Sequence, residues 1–432
     1  MDGVARSALD PDAEAVADAI DDGDVPWQRG TARAALRHRD FTVLWSGIFA
    51  SNIGTWMQTI VLSAWALKQY DSKSFVGILN FAILGPLVLL APVSGMLADV
   101  VDRRRFLVAM QTAQLVGASV LAVYVGTSAP TRGVVFAIVF ATGIANALNG
   151  PAMSAISPTL VPKPDLPGAV SLFSFQMNMS RVIGPLIGVP LYVHYGPGLV
   201  FYVNAATYLF AVAGLLLAHY PRRSGATIDG NGFERIASGF RIAWRDPLIR
   251  RVLFILWTLS LLSLNFISYM APHADRDLGI GAKTSGYGWL YACFGLGAAL
   301  GAFGVGSFLA RFDKARLIRP ALVAFTVLLA VFGALDRPAP AYPVVFALGF
   351  AYFAMITSLS TVLQSNIADE VRGRVMGLWI MGFGGAVGLA AIVWAPVADI
   401  SLRGLIIGGA CWAAVLAWSA DPKVLTRQEH DG

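Results

Sequence analysis

The chain has 432 residues, of which 56% are hydrophobic and only 13% are charged, and its mean hydropathy is +0.64. Ordinary globular domains carry about twice that share of charged residues, so the composition excludes a soluble globular protein and predicts membrane spans along the chain. The net charge of +6 falls mostly in short loops between apolar runs, which is typical of membrane topology and not of nucleic-acid binding.

The first 30 residues contain eight acidic residues, two arginines and almost no large apolar side chains. This composition predicts a disordered cytoplasmic tail over residues 1–40. No signal peptide is expected before the first span, because this tail contains no apolar core of the required length.

Twelve apolar runs follow, and each is long enough to cross a bilayer core of about 30 Å. The predicted spans are residues 41–67, 75–97, 106–126, 134–156, 169–192, 199–217, 252–270, 287–309, 317–335, 342–363, 375–397 and 402–420. An even number of spans places both termini on one side of the membrane.

The distribution of Lys and Arg predicts the orientation. Loops after the even-numbered spans, together with the adjoining span ends, contain 17 of these residues, whereas loops after the odd-numbered spans, counted in the same way, contain seven. Cytoplasmic loops carry the excess of basic residues, so we expect a multi-pass protein of the cytoplasmic (inner) membrane with both termini in the cytoplasm.

The longest connection between spans, residues 219–251, divides the chain into two sets of six spans. We therefore expect bundles at 41–218 and 252–420 and a cytoplasmic tail at 421–432. Apolar residues recur every three or four positions in the connection, at Phe233, Ile236, Phe240 and Trp244. This spacing predicts an amphipathic helix on the inner leaflet that tethers the two halves.

A tight polar turn, residues 95–105, separates the second and third spans. Gly95 permits close backbone approach, the arginines hold the turn on the cytoplasmic side, and Asp99 can bind backbone N–H groups or pair with arginine. The turn resembles the signature loop of the major facilitator superfamily, with matches at Gly95, Leu97, Ala98, Asp99, Arg103 and Arg104 and departures at Val100 and Asp102. An ordinary positively charged membrane turn is the alternative interpretation.

The two halves contain similar turns. The turn from Gly306 to Arg316 resembles the turn that starts at Gly95 and begins 211 residues after it. Repeated halves are typical of secondary transporters. The predicted fold is thus an all-α membrane protein with 12 transmembrane helices in two pseudo-symmetric six-helix bundles, as in the major facilitator superfamily.

Arg181 is the exception among the charged residues, since it lies near the middle of the fifth span, whereas almost every other charged residue lies at a span end or in a loop. The segment that follows resembles the fifth-helix motif of the superfamily's exporters, with Gly184, Pro185 and Gly188 in matching positions. Proline kinks a helix and glycines permit close helix contact, so this motif implies a pliable gate that helps to set the direction of export. The alternative is a kinked, tightly packed helix without directional meaning.

Two roles are open for Arg181. It can hold the fifth helix to the opposite bundle through backbone carbonyls or Asn178, which shares its face one turn earlier, and this structural role is favoured. Alternatively, it contacts an anionic or acceptor-rich substrate.

Further polar residues predict a water-accessible cavity between the halves that holds a small amphiphile. They are Asn52, Trp56, Thr59 and Ser63 in span 1, Asn146 and Asn149 in span 4, and Asn265 and Tyr269 in span 7. With Asn178 and Arg181, all of these except Ser63 are our candidate substrate-binding residues. The alternative is that they only hydrogen-bond between helices.

A closer resemblance, covering nearly all of residues 37–420, is to the exporter branch called transmembrane secretion effectors. It rests on Ser51 to Gln58, on Pro151 to Pro167, and on Arg372, Gly373, Arg374, Val375, Met376 and Gly377. The resemblance implies alternating access, in which Asp99 and Arg103 clasp the start of span 11 near Gly373 to Gly377 when the cytoplasmic side is closed. It implies export of a drug, antibiotic, siderophore or other natural product by proton antiport, although no Asp or Glu lies mid-span to carry the proton.

Two rival functions remain, an importer of the same fold and a transport-inactive receptor or assembly protein. An enzyme is not expected, because no nucleophile, metal cluster or acid–base pair is apparent. Cys293 and Cys411 lie in apolar runs away from other metal-binding residues, so neither a disulfide framework, a metal nor a cofactor is expected. The expected partners are a small-molecule substrate and the bilayer, and the protein is expected to be a monomer.

Overall fold

The computed structural model describes residues 31–88, 90, 102–127, 129–220, 232–306, 312–367 and 369–420. Residues 1–30 of the predicted tail at 1–40, the predicted tail at 421–432, and the turn residues Gly95 and Asp99 lie outside the described residues. The described end of the first tail is helical and not disordered: Ala32–Arg37 form a short helix, because the side chain of Thr31 caps its start and Ala34 and Ala35 are buried.

Twelve helices in the described part of the chain correspond to the twelve predicted spans, and they are numbered α1 to α12. The first six are α1 Arg39–Tyr70, α2 Lys73–Val88, α3 Arg103–Val125, α4 Arg132–Ile156, α5 Leu166–Tyr195 and α6 Pro197–Leu217. The last six are α7 Pro247–Arg276, α8 Ser285–Gly306, α9 Lys314–Ala334, α10 Pro338–Ser365, α11 Asp369–Ile400 and α12 Leu402–Ser419, of which α7 and α11 are interrupted.

Nine of these helices are long and apolar enough to cross a membrane by length and composition, in the residues that the structure describes. The other three, α1, α2 and α5, occupy the remaining predicted spans. The predicted all-helical fold is therefore confirmed.

Aspartates begin two equivalent helices in the two halves. Asp102 accepts a hydrogen bond from the backbone N–H of Arg105 at 2.8 Å and caps α3, and Asp313 does the same for α9 with the N–H of Ala315 at 2.9 Å. A carboxylate at this position satisfies an unpaired N–H and favours the positive end of the helix. The sequence similarity between the two turns thus corresponds to the equivalent starts of α3 and α9.

Two predicted continuous spans are interrupted. Helix α7 consists of Pro247–Leu262, Asn265–Ser268 and Met270–Arg276, and the side chain of Asn265 donates to the carbonyl of Leu262 at 3.2 Å near the first break. Helix α11 contains a π-turn at Met381–Gly385, where three of five residues are glycine, and a second break at Trp394. Such interruptions expose backbone groups that must find partners in neighbouring helices.

The helices form two bundles. In the first, α1 packs against α5 and α6, and α3 packs against α4 and α6; in the second, α10 packs against α8 and α9, and α9 also packs against α12. The bundles meet where α5 packs against α8 and where α2 packs against α11. We call the face with the loops after odd-numbered helices the outer face and the opposite one the inner face.

The connection between the halves contains a helix at Gly232–Arg245, as the spacing of its apolar residues predicts. Phe240 and Trp244 are exposed, and Gly239 lies close to the carbonyl of Arg374 at the start of α11. The guanidinium of Arg374 donates to the hydroxyl of Ser238 at 3.5 Å. The linker helix therefore contacts α11, and its position on the inner leaflet stays a prediction.

Candidate functional site

The predicted polar face of α1 is partly exposed in the first bundle. Asn52, Trp56 and Thr59 are half-buried, whereas Ser63 is buried. Asn52 donates a long hydrogen bond to the sulfur of Met177 on α5 at 3.8 Å, and the hydroxyl of Thr59 donates to a carbonyl of its own helix. Asn52 and Trp56 therefore lie where α1 faces α5.

The glycines of the α5 motif allow that helix to approach α1 closely. A Cβ at Gly184 would lie 2.7 Å from the Cβ of Trp56, and a Cβ at Gly188 would lie 3.0 Å from the Cβ of Met57. The predicted close helix contact is thus present, and it lies within the first bundle.

Pro185 has a consequence at the boundary between the bundles. Proline lacks an N–H, so the carbonyl of Arg181 four residues earlier has no helical partner. That carbonyl lies 3.1 Å from the position that a Cβ on Gly295 of α8 would occupy. The glycine therefore lets α8 pack closely against the part of α5 that proline loosens.

The side chain of Arg181 lies between aromatic rings from the two bundles. Its guanidinium carbon is 5.0 Å from the ring centre of Trp56 on α1 and 4.7 Å from that of Phe353 on α10. Each cation–π contact contributes about 0.5 to 2 kcal/mol, depending on desolvation. Arg181 thus joins the halves through a ring of the opposite bundle, and not through the carbonyls or Asn178 that the sequence suggested.

Arg181 and Asn178 still have unused hydrogen-bonding capacity. The amide nitrogen of Asn178 donates to the carbonyl of Ser174 at 2.9 Å. Within the described part of the chain, the Nε of Arg181 and the Oδ1 of Asn178 are buried and have no hydrogen-bond partner. An unpaired donor and an unpaired acceptor one helical turn apart are suited to a polar ligand, because leaving both unpaired is unfavourable.

The other predicted binding residues are placed differently. Asn146 and Asn149 are half-buried on α4, and Asn149 accepts a bond from Gln111 of α3 at 3.4 Å. Asn265 and Tyr269 are buried in α7, and the hydroxyl of Tyr269 donates to the carbonyl of Ala391 on α11 at 2.5 Å. Neither α7 side chain faces a cleft in this structure, and their contact with a substrate stays a prediction.

Ion pairs and hydrogen bonds join the two bundles at the outer face. Lys68 pairs with Asp275 at 2.9 Å, and Asp71 pairs with Arg276. Lys73 donates to the carbonyls of Ala398 and Asp399, each at 3.3 Å, and the N–H of Ser74 donates to the Asp399 carboxylate at 3.1 Å. We call the charged members of this set the outer gate: Lys68, Asp71, Lys73, Asp275, Arg276 and Asp399.

A second layer of contacts lies just beneath the outer gate. Asn80 of α2 donates to the carbonyl of Ser268 on α7 at 3.3 Å, and Gly77 of α2 lies against the hydroxyl of Tyr269. The structure thus has its outer side closed. The sequence does not reveal this gate. Its charged residues lie at span ends, where they indicate the orientation of the chain in the membrane but not which residues pair with each other.

The predicted gating residues of the inner face are partly described. Arg104 donates from Nε to the carbonyl of Leu215 at 3.0 Å and lies over the ring of Tyr220, so it binds the end of α6 in its own bundle. Arg103 begins α3, and Arg372, Gly373 and Arg374 lie in the first turns of α11. The clasp of Asp99 and Arg103 on α11 stays a prediction, since Asp99 is not among the described residues.

The sequence profile of the transmembrane secretion effector family matches residues 30–421. The chain belongs to this family. A secretion effector is a transporter of the major facilitator superfamily and not an enzyme, which agrees with the expectation from the sequence.

Two curated relatives are similar to this secretion effector. The enterobactin exporter of Escherichia coli O1:K1 is 24% identical over 402 residues, which cover 87% of this chain and 89% of that protein. The staphyloferrin A transporter of Staphylococcus aureus is 34% identical over 180 residues, and this match spans only 40% of this chain and 44% of the relative.

Solved structures show the same fold. A mutant of the nucleoside transporter NupG superposes with a TM-score of 0.71 over 90% of this chain and 100% of its own, at 14% identity. An auto-inhibited peptide transporter of the POT family has a TM-score of 0.70 over 88% of this chain and 96% of its own, also at 14% identity. At such low identity the likeness concerns the fold alone.

Proposed function

We propose that this secretion effector exports a small amphiphilic molecule across the cytoplasmic membrane by alternating access. The observation that carries the proposal is the position of Arg181, half-buried between Trp56 of one bundle and Phe353 of the other. A ligand at this point touches both halves at once. Its binding therefore depends on how the halves are arranged, which is what transport by rocking requires.

The side chains around Arg181 define the chemistry of the substrate. A guanidinium binds carboxylate or other acceptor-rich groups, and the neighbouring rings pack against flat apolar groups. The unpaired Oδ1 of Asn178 adds an acceptor for a ligand hydroxyl or amide. We therefore propose a substrate that combines an acidic or acceptor-rich group with apolar or aromatic parts, and the relatives' names favour a siderophore among the classes that the sequence suggests.

Export, and not import, is supported by the α5 motif of Gly184, Pro185 and Gly188 and by the enterobactin exporter among the relatives. In the proposed cycle the substrate enters from the inner side while the outer gate is closed, as in this structure. The outer gate then separates while Asp99 and Arg103 close on α11 near Gly373, which releases the substrate outward. Proton antiport is the proposed source of energy, in a monomer with both termini in the cytoplasm.

The test is export from enterobactin-producing cells that lack their own exporter. Cells that express the wild-type chain are expected to release more enterobactin into the medium than cells with an empty vector. The variant Arg181→Gln is expected to lower this release by about tenfold or more, because it removes a charge-assisted contact worth about 1.5 to 3 kcal/mol. Staphyloferrin A is the second probe.

Arg132→Gln is the matched control. Arg132 also lies over two rings, those of Tyr70 and Phe75 at 5.6 and 5.7 Å, but it does so at the outer end of α4 and away from Arg181. It is expected to leave export unchanged. Equal release by wild type and Arg181→Gln at equal protein levels contradicts the proposed site. Faster uptake of enterobactin added to the medium than in cells with an empty vector indicates an importer instead.

A further inference from the structure

A buried histidine lies directly beside the outer gate. His273 is in the last segment of α7, Met270–Arg276, and its side chain is 0% exposed. Its Nδ1 lies 2.9 Å from a carboxylate oxygen of Asp277, and its Nε2 lies 3.1 Å from the backbone carbonyl oxygen of Phe332 at the end of α9. Both ring nitrogens therefore have an oxygen partner.

These two contacts require one more proton than a neutral histidine and an ionised aspartate supply. A backbone carbonyl only accepts, so Nε2 must carry a hydrogen. An ionised carboxylate also only accepts, so a second hydrogen must lie between Nδ1 and Asp277, either on the ring or on the carboxyl group. Neutral histidine carries a single ring hydrogen, and the extra one must be taken up from solution.

The surrounding charges indicate where that hydrogen resides. Burial tends to raise the pKa of Asp277, but the hydrogen bond from His273 and the charges of His273, Arg403 and Lys73 lower it below its ordinary value. Arg403 of α12 lies 3.4 Å from the other carboxylate oxygen and also donates to the Asp277 carbonyl at 3.2 Å. Asp277 is thus ionised, and the extra proton is on His273.

The same turn of α7 that holds His273 also carries two members of the outer gate. Asp275 pairs with Lys68 and Arg276 pairs with Asp71, both on the opposite bundle. Arg276 also lies 3.9 Å from Asp275. Lys73, which belongs to the first bundle, donates to the carbonyl of Asp399 on α11. His273 fastens this turn to α9 and, through Asp277, to α12, which holds Asp275 and Arg276 in place for the partners on α1.

We propose that the His273–Asp277 pair is a binding site for a proton taken up at the outer face, and that this proton stabilises the closed outer gate. This inference deepens the proposed function, on which it rests, by giving the coupling proton a site that mid-span carboxylates do not provide. When the proton leaves, the Nδ1 lone pair faces an ionised carboxylate across 2.9 Å. That contact is then repulsive, and the turn with Asp275 and Arg276 loses its anchor.

The closed form holds one proton more than the open form, so acid favours closure and rising pH favours opening. A difference of one proton changes the ratio of closed to open molecules by up to about tenfold per pH unit. Between about pH 5 and about pH 8, histidine is the side chain whose charge changes most readily.

The experiment measures the width of the outer gate by pulsed electron paramagnetic resonance. Spin labels are attached at Gly133→Cys on α4 and Ala339→Cys on α10, both exposed at the outer face, in a chain whose Cys293 and Cys411 are replaced by serine. The distance distribution is recorded in nanodiscs between about pH 5 and about pH 8 without substrate. The wild type is expected to shift from the short to the long distance as pH rises.

Two variants and one control complete the test. His273→Gln removes the titrating ring and is expected to abolish the pH response. Asp277→Asn lets the amide donate to Nδ1 of a neutral His273, so it is expected to keep the short distance at every pH. His194→Gln, which replaces an exposed histidine at the outer end of α5, is expected to behave as the wild type.

The proposal is overturned if the wild type shows no pH response, or if both His273→Gln and Asp277→Asn keep the wild-type response. Asp277→Asn retains the hydrogen bond from Arg403 to the backbone carbonyl of residue 277. Its label distances therefore test the proposal even if His273→Gln fails to fold. The distances are measured without substrate, whereas the proposed export is measured by release of enterobactin. A failure of one proposal is thus visible without a failure of the other.

Discussion

Gly77 is the position where one added methyl group is expected to open the outer side. A Cβ at Gly77 would lie well inside the contact distance of the Tyr269 hydroxyl and 2.5 Å from the carbonyl oxygen of Ala391. Tyr269 is 0% exposed and donates to that carbonyl, so it has no free space into which to move. In Gly77→Ala, α2 must therefore separate from α7 and α11.

The expected size of the effect follows from two costs of the closed form. Overpacking a tight contact costs about 1 to 3 kcal/mol, and losing the Tyr269 hydrogen bond costs about 1 kcal/mol. A net change of about 2 to 4 kcal/mol shifts the ratio of closed to open molecules by about 30-fold to about 1,000-fold. Such a shift turns a mostly closed population into one in which the open form is readily detected.

The assay is the distance between spin labels on α4 and α10, at a pH where the wild type is closed. Gly408→Ala is the matched control, because Gly408 is also helical and exposed, and a Cβ there would meet nothing within 4 Å. The control is expected to retain the short distance. A short distance in Gly77→Ala, in protein that is folded, refutes the conclusion that α2, α7 and α11 hold the outer side closed.

Two further predictions concern single arginine and aspartate contacts. Asp275→Asn removes the ion pair with the partly exposed Lys68 and is expected to raise the open fraction by about fivefold. The open fraction is measured as the share of molecules with the longer distance between the spin labels. A distance distribution equal to that of the wild type contradicts this prediction. Arg104→Met removes the hydrogen bonds to the carbonyls of Leu215 and Leu216 and is expected to lower stability by about 1 to 3 kcal/mol, seen as a lower midpoint of thermal unfolding in detergent. Arg105→Met is its control, because Arg105 is exposed at the same helix start, and equal midpoints for the two variants contradict the role of Arg104.

The sequence predicted the helices well, because a membrane span is a local property of about 20 apolar residues. Span 9, predicted at 317–335, is the helix Lys314–Ala334, and its start is set by the capping carboxylate of Asp313. The breaks in α7 and α11 could not be predicted in the same way. They depend on partners far along the chain, such as the bond from Trp394 to the carbonyl of Leu261 at 2.8 Å.

The sequence predicts the central residue of the candidate site, Arg181, but not the residues that contact it. Arg181 stands out in the sequence because a mid-membrane charge is rare and costly. Its contact with Phe353 depends on how the two bundles meet, for which the spacing of residues gives no information. The burial of Tyr269 and the pairing of Lys68 with Asp275 are hidden for the same reason.

Outward transport through a site at Arg181 is tested with inverted membrane vesicles that contain the chain. Enterobactin is added outside, an acidic lumen is established, and the initial rate of its accumulation in the lumen is measured. The wild type and Arg132→Gln are expected to accumulate enterobactin, and Arg181→Gln is expected to do so at a rate at least about tenfold lower. A rate that is the same for Arg181→Gln as for the wild type, or net movement of enterobactin out of the lumen, would contradict outward transport through this site.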